Sequence, residues 1–332
     1  MKKVNWGILS TAKIGREKVI PALQRSAWGQ ATAIASRSLA SAQTTANAHG
    51  IPTAYGSYED LIADPQIEAI YNPLPNDMHV PWTLAAARAG KHVLCEKPFA
   101  MNAREADALR EVAGKVHIME AFMVRFHPQW LRARDIVRSG ALGELRSIQV
   151  FFSFHNTQPE NIRNRVSHGG GALYDIGGYA FVAGRFFFEA EPVRVMALVD
   201  RDPVFHTDRT SSALVDFGAG RRLDFTVSTQ STPYQRLHLV GTQQRLEMAV
   251  PFNAAQGAAT ELFLNDGQTL GNAQNQVETV APADQYMLQL DAFSKAVRGD
   301  APLPFGLDDA VQNMRIMDAL YASGASGQWH GV

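Results

Sequence analysis

Four short stretches of the sequence hold groups that could bind a nucleotide and move a proton. The first is Gly7-Ile8-Leu9-Ser10-Thr11-Ala12-Lys13-Ile14-Gly15, which follows an apolar run. A turn between a strand and a helix N-terminus aims backbone N–H groups at a pyrophosphate. Set against G-x-G-x-x-G, its glycine positions hold Ser10, Ala12 and Gly15, and small residues still permit close backbone approach. Taken alone, Ser10, Thr11, Ala12, Lys13 and Ile14 form either a cofactor loop or an ordinary strand-to-helix turn. The second stretch is Ala35-Ser36-Arg37-Ser38, where an NAD-specific fold carries an acidic residue about 20 positions after the glycine loop. No carboxylate stands there. Arg37 can pair with a 2′-phosphate, with the hydroxyls of Ser36 and Ser38 adding hydrogen bonds, so the expectation is NADP with NAD possible. The competing reading is a solvated loop arginine.

The third stretch, Tyr71-Asn72-Pro73-Leu74-Pro75-Asn76-Asp77-Met78-His79, follows another apolar run. Ligands of open parallel sheets lie beyond the carboxyl ends of the strands, so Pro73, Leu74, Asn76 and His79 are expected to line the cofactor groove, on a turn shaped by its prolines. The fourth is His92-Val93-Leu94-Cys95-Glu96-Lys97-Pro98. It sets Glu96 and Lys97 just past a strand end facing the same groove. A lysine there, judged alone, is a solvated surface residue.

The elements that must position these residues follow from the hydrophobic pattern. Between residues 4 and 119, short apolar runs at 4–9, 31–35, 69–71, 92–95 and 116–119 alternate with helical periodicity at 14–24, 39–49, 58–63, 78–89 and 103–113. This alternation predicts a parallel sheet with crossover helices. Asp77 is expected as an N-cap, and Gly90 and Gly114 as helix stops. After one more helix at 128–137 the period becomes two: Ile148, Val150, Phe152 and Phe154 share one strand face, and Leu223, Phe225 and Val227 share another. Further strands are expected at 193–199, 213–217, 236–240, 245–249 and 261–264. Strands in such succession imply a mostly antiparallel sheet. Helical spacing returns with Tyr286, Leu290, Phe293 and Val297, then Leu307, Val311, Met314 and Tyr321. The fold class is therefore α/β: a Rossmann dinucleotide-binding domain at 1–122, an α+β substrate and oligomerisation domain with a large open sheet at 123–305, and a terminal helix at 306–332 packing back on the first domain.

Composition narrows the function. A chain of 332 residues exceeds one comfortable core and favours two domains. With 46% hydrophobic and 19% charged residues it is globular in character, and a net charge of −1 supplies no field for nucleic acid or an anionic membrane. Cys95 is the sole cysteine, expected buried in a strand. The ten histidines show no H-x-x-x-H spacing, so no metal is expected. The start, Met1-Lys2-Lys3, lacks the pattern of a signal peptide and no run approaches a membrane span, so the expectation is a cytoplasmic protein.

Residues 73–79, the Glu96-Lys97-Pro98 tripeptide and Gly169-Gly170-Gly171-Ala172-Leu173-Tyr174-Asp175-Ile176-Gly177-Gly178-Tyr179 together resemble the Gfo/Idh/MocA family of dehydrogenases over nearly the whole chain. The resemblance implies that Lys97 is the catalytic lysine beside a nicotinamide, and that Asp175 and Tyr179 lie on one face of a helix, at i and i+4. Tyrosine at the second position, with Glu120-Ala121-Phe122-Met123-Val124-Arg125-Phe126-His127-Pro128, resembles the branch of D-xylose 1-dehydrogenases, dihydrodiol dehydrogenases and glucose–fructose oxidoreductase. The glycine loop departs from the family pattern.

The chemistry so implied is hydride transfer between a carbinol carbon and nicotinamide, coupled to proton transfer. A phenol with a pKa of about 10 is a poor base near neutrality, and a neighbouring ammonium would lower it. Lys97 would activate Tyr179, and Asp175 would orient the lysine or a substrate hydroxyl. Branch resemblance and residue type suggest Arg125, His127, Phe154, Asn156, Arg163 and Tyr286 for a sugar or cyclic diol, with core packing the competing role for Phe154 and Tyr286. The expected activity is NADP-dependent oxidation of an aldose to a lactone, or its reverse. Alternatives are an aldose–aldose oxidoreductase with tightly held cofactor and a sugar- or nucleotide-binding regulator without turnover. The resemblance also implies homodimers or homotetramers joined through the antiparallel sheet.

Overall fold

A computed structural model describes residues 2–268 and 271–332, so Met1, the first residue of the expected nucleotide-binding domain, lies outside the described residues. The chain divides into two compact units, Met1–Met123 with Gln285–Met314, and Val124–Asp284 with Arg315–Val332.

The first unit is built on six parallel strands: β1 (Val4–Leu9), β2 (Gly29–Ala35), β3 (Thr53–Tyr55), β4 (Ala69–Asn72), β5 (His92–Cys95) and β6 (Ile118–Glu120). Their order, β3-β2-β1-β4-β5-β6, reverses direction between β1 and β4. In a doubly wound sheet that switch opens a crevice at the strands' carboxyl ends. Trp6, Ile8, Ile34, Ile70 and Val93 are fully buried, as strands covered on both faces require. Strand β3, three residues of Thr53-Ala54-Tyr55, escaped the sequence pattern because it is short and half-buried throughout. The expected cap at Asp77 is replaced by a 3₁₀ turn, Asn76–Met78, running into the helix His79–Arg88. Gly90 ends that helix with φ +78, its N–H on Ala87 O and the Lys91 N–H on Ala86 O.

The second unit carries nine strands: β7 (Leu145–His155), β8 (Arg194–Arg201), β9 (Asp208–Asp216), β10 (Arg222–Ser228), β11 (Gln230–Gly241), β12 (Arg245–Met248), β13 (Thr260–Asn265), β14 (Gln276–Val280) and β15 (His330–Gly331). They run β14-β13-β12-β11-β7-β10-β9-β8-β15, antiparallel except for the parallel β7–β10 pair. Ile148, Val150 and Phe152 are buried against Leu223, Phe225 and Val227, the faces the period-two pattern marked. The helix Gly178–Phe188 covers them closely: a Cβ on Gly184 would stand 2.7 Å from Phe217. Arg185 is the one residue of this helix that is not buried, which hides it from an amphipathic search.

The carboxyl-terminal assignment differs from the sequence expectation. The helix Gln285–Arg298, expected in the second domain, belongs to the first unit. Phe293 packs 5.3 Å from Trp6, Ser294 Oγ accepts from Trp6 Nε1 at 3.1 Å, and Arg298 reaches both oxygens of Glu68 at 2.7 Å. The end of the helix Leu307–Ser326, expected on the first domain, is counted with the second from Arg315 onward. There Tyr321 donates to Asp208 and β15 pairs with β8. Among the described residues, no helix is long and apolar enough to cross a membrane.

Candidate active site

In the first unit, the loops at the carboxyl ends of β1, β2, β4 and β5 carry the predicted cofactor residues. Ser10 adopts φ +68, the left-handed conformation for which glycine is usual, and its Oγ accepts from the Ala12 N–H at 3.2 Å. A short polar side chain that bonds locally makes this conformation tolerable, which accounts for the missing first glycine. Thr11, Ala12 and Ile14 are half-buried and Lys13 is exposed. The chain then enters a π-helical turn, Gly15–Val19. Arg37 is exposed beside the Tyr58 hydroxyl, which accepts a hydrogen bond from it. Ser38 caps the helix Leu39–His49 through Ser41 N, and Ser36 Oγ accepts from Ser38 N. An exposed guanidinium with a neighbouring phenol, at a strand end where an acid would exclude phosphate, fits the 2′-phosphate of NADP.

The Lys97 turn is pinned from beneath. Glu96 Oε1 accepts from the buried Tyr71 hydroxyl at 2.7 Å, and burial pushes that phenol well above its ordinary pKa. The Lys97–Pro98 peptide is cis. Glu120, buried at the end of β6, accepts from the Phe99 N–H at 2.9 Å and from Asn313 Nδ2 at 2.7 Å. Asn72 accepts from the Leu74 N–H at 3.3 Å and donates to His79 O at 3.0 Å and to Thr83 Oγ1 at 3.2 Å.

His79 was expected to face the cofactor. It is instead 1% exposed, its Nδ1 2.7 Å from Pro98 O and its Nε2 2.7 Å from Leu74 O. Pro73 and Leu74 are buried and Asn76 half-buried on the same turn. Tyr286, expected against substrate, falls in this unit, close enough to Tyr71 to raise its pKa.

The second unit brings Asp175 and Tyr179 together on one continuous helical segment, but its first turn, Leu173–Gly177, is π rather than α. Such single π turns recur at functional sites. Asp175 Oδ2 accepts from Arg163 Nε at 2.7 Å. Tyr179 is 5% exposed, its ring 5.6 Å from Phe152 and 5.3 Å from Phe252. The triple glycine has a packing reason. A Cβ on Gly170 would meet Arg163 O at 2.4 Å, and one on Gly171, at φ +124, would meet Asp208 Oδ1 at 1.9 Å.

Asp208, which the sequence reading missed, accepts from the Leu173 N–H at 2.7 Å, Ser211 Oγ at 3.1 Å and the Tyr321 hydroxyl at 2.9 Å. It therefore anchors the first turn of the helical segment that carries Asp175 and Tyr179. Burial raises its pKa against these three donors. No periodic signal marks such a residue at the start of a strand.

Other substrate candidates take structural roles. His127 is fully buried and caps the helix Pro128–Arg138, its Nδ1 accepting from Gln129 N at 3.1 Å. Burial pushes its pKa down to about 4. Asn156 Oδ1 accepts from Gln158 N at 3.0 Å and from Asn164 Nδ2 at 3.2 Å, shaping its own loop. Arg125 is buried, and Phe154 and Arg163 are half-buried. Cys95 is buried at the end of β5, where burial raises its thiol pKa.

Comparisons with known proteins agree with this fold. Residues 4–125 match the oxidoreductase family profile with NAD-binding Rossmann fold, and residues 130–247 match the GFO/IDH/MocA C-terminal domain. The chain is 41% identical to the D-xylose 1-dehydrogenase (NADP(+)) 2 of Haloferax volcanii, over 97% of this chain and 98% of that protein. Among solved structures, the aldose-aldose oxidoreductase from Caulobacter crescentus complexed with glycerol superposes with a TM-score of 0.91 at 25% identity, covering 100% of both chains. The 3-ketoreductase KijD10 from Actinomadura kijaniata, with NADP and TDP-benzene, superposes with a TM-score of 0.90 at 27% identity, covering 97% of this chain and 98% of the other.

Proposed function

The chain belongs to the Gfo/Idh/MocA family of oxidoreductases, and from that premise we propose that it is an NADP-dependent dehydrogenase of a sugar or cyclic diol, oxidising an aldose at its anomeric carbon to the lactone or running the reverse reduction. The observation that carries the reading is the Lys97 turn, fixed by Glu120 at the carboxyl end of β5.

Bound NADP supplies the hydride acceptor. Arg37 pairs with its 2′-phosphate, and the Ser10 loop presents backbone N–H groups to the pyrophosphate. Lys97 would donate to the reacting oxygen, and Tyr179, as the phenolate, would take the hydroxyl proton as the carbonyl forms and the hydride leaves the carbinol carbon. Asp175, paired with Arg163, accepts from a neighbouring substrate hydroxyl. A screen of aldoses, inositols and trans-dihydrodiols read by NADPH absorbance tests the proposal. Turnover of at least one class with NADP supports it, and none across the panel, despite NADP binding, refutes it.

The full-length likeness to an aldose-aldose oxidoreductase favours a second reading, in which the cofactor stays bound and cycles between two sugars. NADP carried through purification would distinguish it. We further infer that two copies pair through the outer face of the nine-stranded sheet. Phe151, Leu198, Leu214 and Tyr234 are exposed there around a depression of about 570 Å³. An exposed apolar patch of this kind marks an interaction surface.

A further inference from the structure

His79 lies between the two turns that bracket the proposed nicotinamide site within the first unit. One ring nitrogen stands 2.7 Å from Leu74 O and the other 2.7 Å from Pro98 O, the residue next to Lys97. Both partners are carbonyls, which accept but cannot donate. Burial pushes the ring down to about 4, Lys97 adding to that push while the two carbonyls and Asp77 oppose it. At neutral pH the singly protonated ring donates to one of the two carbonyls at a time, so the link between the turns is one hydrogen bond together with the packing of the buried ring between them. The backbone of His79 is itself tied to the end of β4 by Asn72. Phe99, on the far side of Pro98, is held by Glu120. Lys97, joined to Pro98, thus rides on a turn with two buried anchors, one of which also sets the Leu74 turn.

We propose that His79 is a positioning residue of the reaction, a buried bridge that registers the Lys97 turn against the Leu74 turn and so fixes where the lysine ammonium acts. It touches neither substrate nor cofactor, and it acts through Lys97. The inference rests on the functional reading above, which gives Lys97 its role. A displacement on the order of 1 Å at a reacting group costs up to about 100-fold in rate, so releasing one of two anchors is expected to lower kcat about 30-fold.

The test uses His79→Leu and His79→Gln in the full chain. Turnover, NADP affinity by protein fluorescence, and the labelling rate of Lys97 relative to the exposed Lys115 by an acylating reagent, read by peptide mass, are measured on each. The proposal expects kcat of His79→Leu to fall by about 30-fold and NADP affinity to hold within about threefold, a free-energy change below roughly 0.7 kcal/mol. It also expects the Lys97/Lys115 ratio to change clearly. His79→Gln, which keeps one donor, should recover part of both losses, and it stands in if the leucine variant does not fold. Near-normal kcat in a folded variant overturns the proposal. So does a loss shared equally by NADP binding with the labelling ratio unchanged. If the wild-type chain turns over no sugar or diol, the functional reading fails and the labelling ratio alone decides the bridge.

Discussion

Arg37 directs a guanidinium toward solvent at the end of β2 with Tyr58 at its side, and a dianionic 2′-phosphate is the ligand from which that charge gains most. Charge-assisted hydrogen bonds contribute about 1.5–3 kcal/mol, so Arg37→Ala is expected to weaken NADP binding roughly 10- to 100-fold and leave NAD binding nearly unchanged. Fluorescence titration with both cofactors reads the difference, and equal losses would remove the assignment. Tyr179→Phe keeps the ring packed on Phe152 and Phe252 and removes the proposed proton carrier, so kcat should fall on the order of 10²–10⁴-fold with the fold intact. At this scale the sequence placed Lys97 and Arg37 just past strand ends, and only the family resemblance set Lys97 apart from a solvated surface lysine. The sequence misassigned His79 and His127, because a histidine beside a turn looks the same whether its ring faces a ligand or two backbone carbonyls. The order of residues records position along the chain, and the direction of a side chain is settled by packing.

Among the elements, the π turn Leu173–Gly177 depends on one buried carboxylate. Asp208→Ala would leave the Leu173 N–H and the Tyr321 hydroxyl without their acceptor, at about 1–3 kcal/mol each. Asp208→Asn keeps an acceptor and should cost less. Hydrogen exchange at the Leu173–Gly177 amides would show faster opening in the alanine variant, and unchanged protection would contradict the anchoring role. The helix Gln285–Arg298 is tied by the Arg298 bridge to Glu68, whose pKa is lowered from 4.5, chiefly by that hydrogen bond. A depressed carboxyl stabilises the fold above its unfolded pKa, and the contribution is lost as pH falls through the folded value. Arg298→Met should therefore speed exchange in β1 and β4 at pH 7, and in acid the part due to Glu68 should fade while the part due to the lost bonds to Lys2 O and Lys3 O persists. A pH-independent difference would refute the ion pair as cause. Five of the six strands of the first sheet were legible because buried parallel strands read as apolar runs, and the half-buried β3 was not. Gly178–Phe188 gave no helical period, being buried on nearly every side.

For the whole molecule, the division of the chain was the least legible feature. Helical spacing at Tyr286, Leu290 and Phe293 identified a helix, but nothing local said that Trp6 and Glu68, hundreds of residues earlier, would receive it. The proposed association belongs to the same scale. Leu198 is 77% exposed on the outer sheet face, and Leu198→Glu combined with Leu214→Glu should convert the proposed dimer to monomers by light scattering. An unchanged mass would place the interface elsewhere. The central claim, an NADP-dependent sugar or diol oxidoreductase working through Lys97, is tested most directly by one comparison. Initial rates of wild type and Lys97→Met are measured with NADP on the best substrate of the panel, alongside NADP affinity. The account predicts a loss of about 10²–10⁴-fold in kcat with affinity nearly preserved, and a Lys97→Met enzyme that turns over at close to the wild-type rate would contradict it.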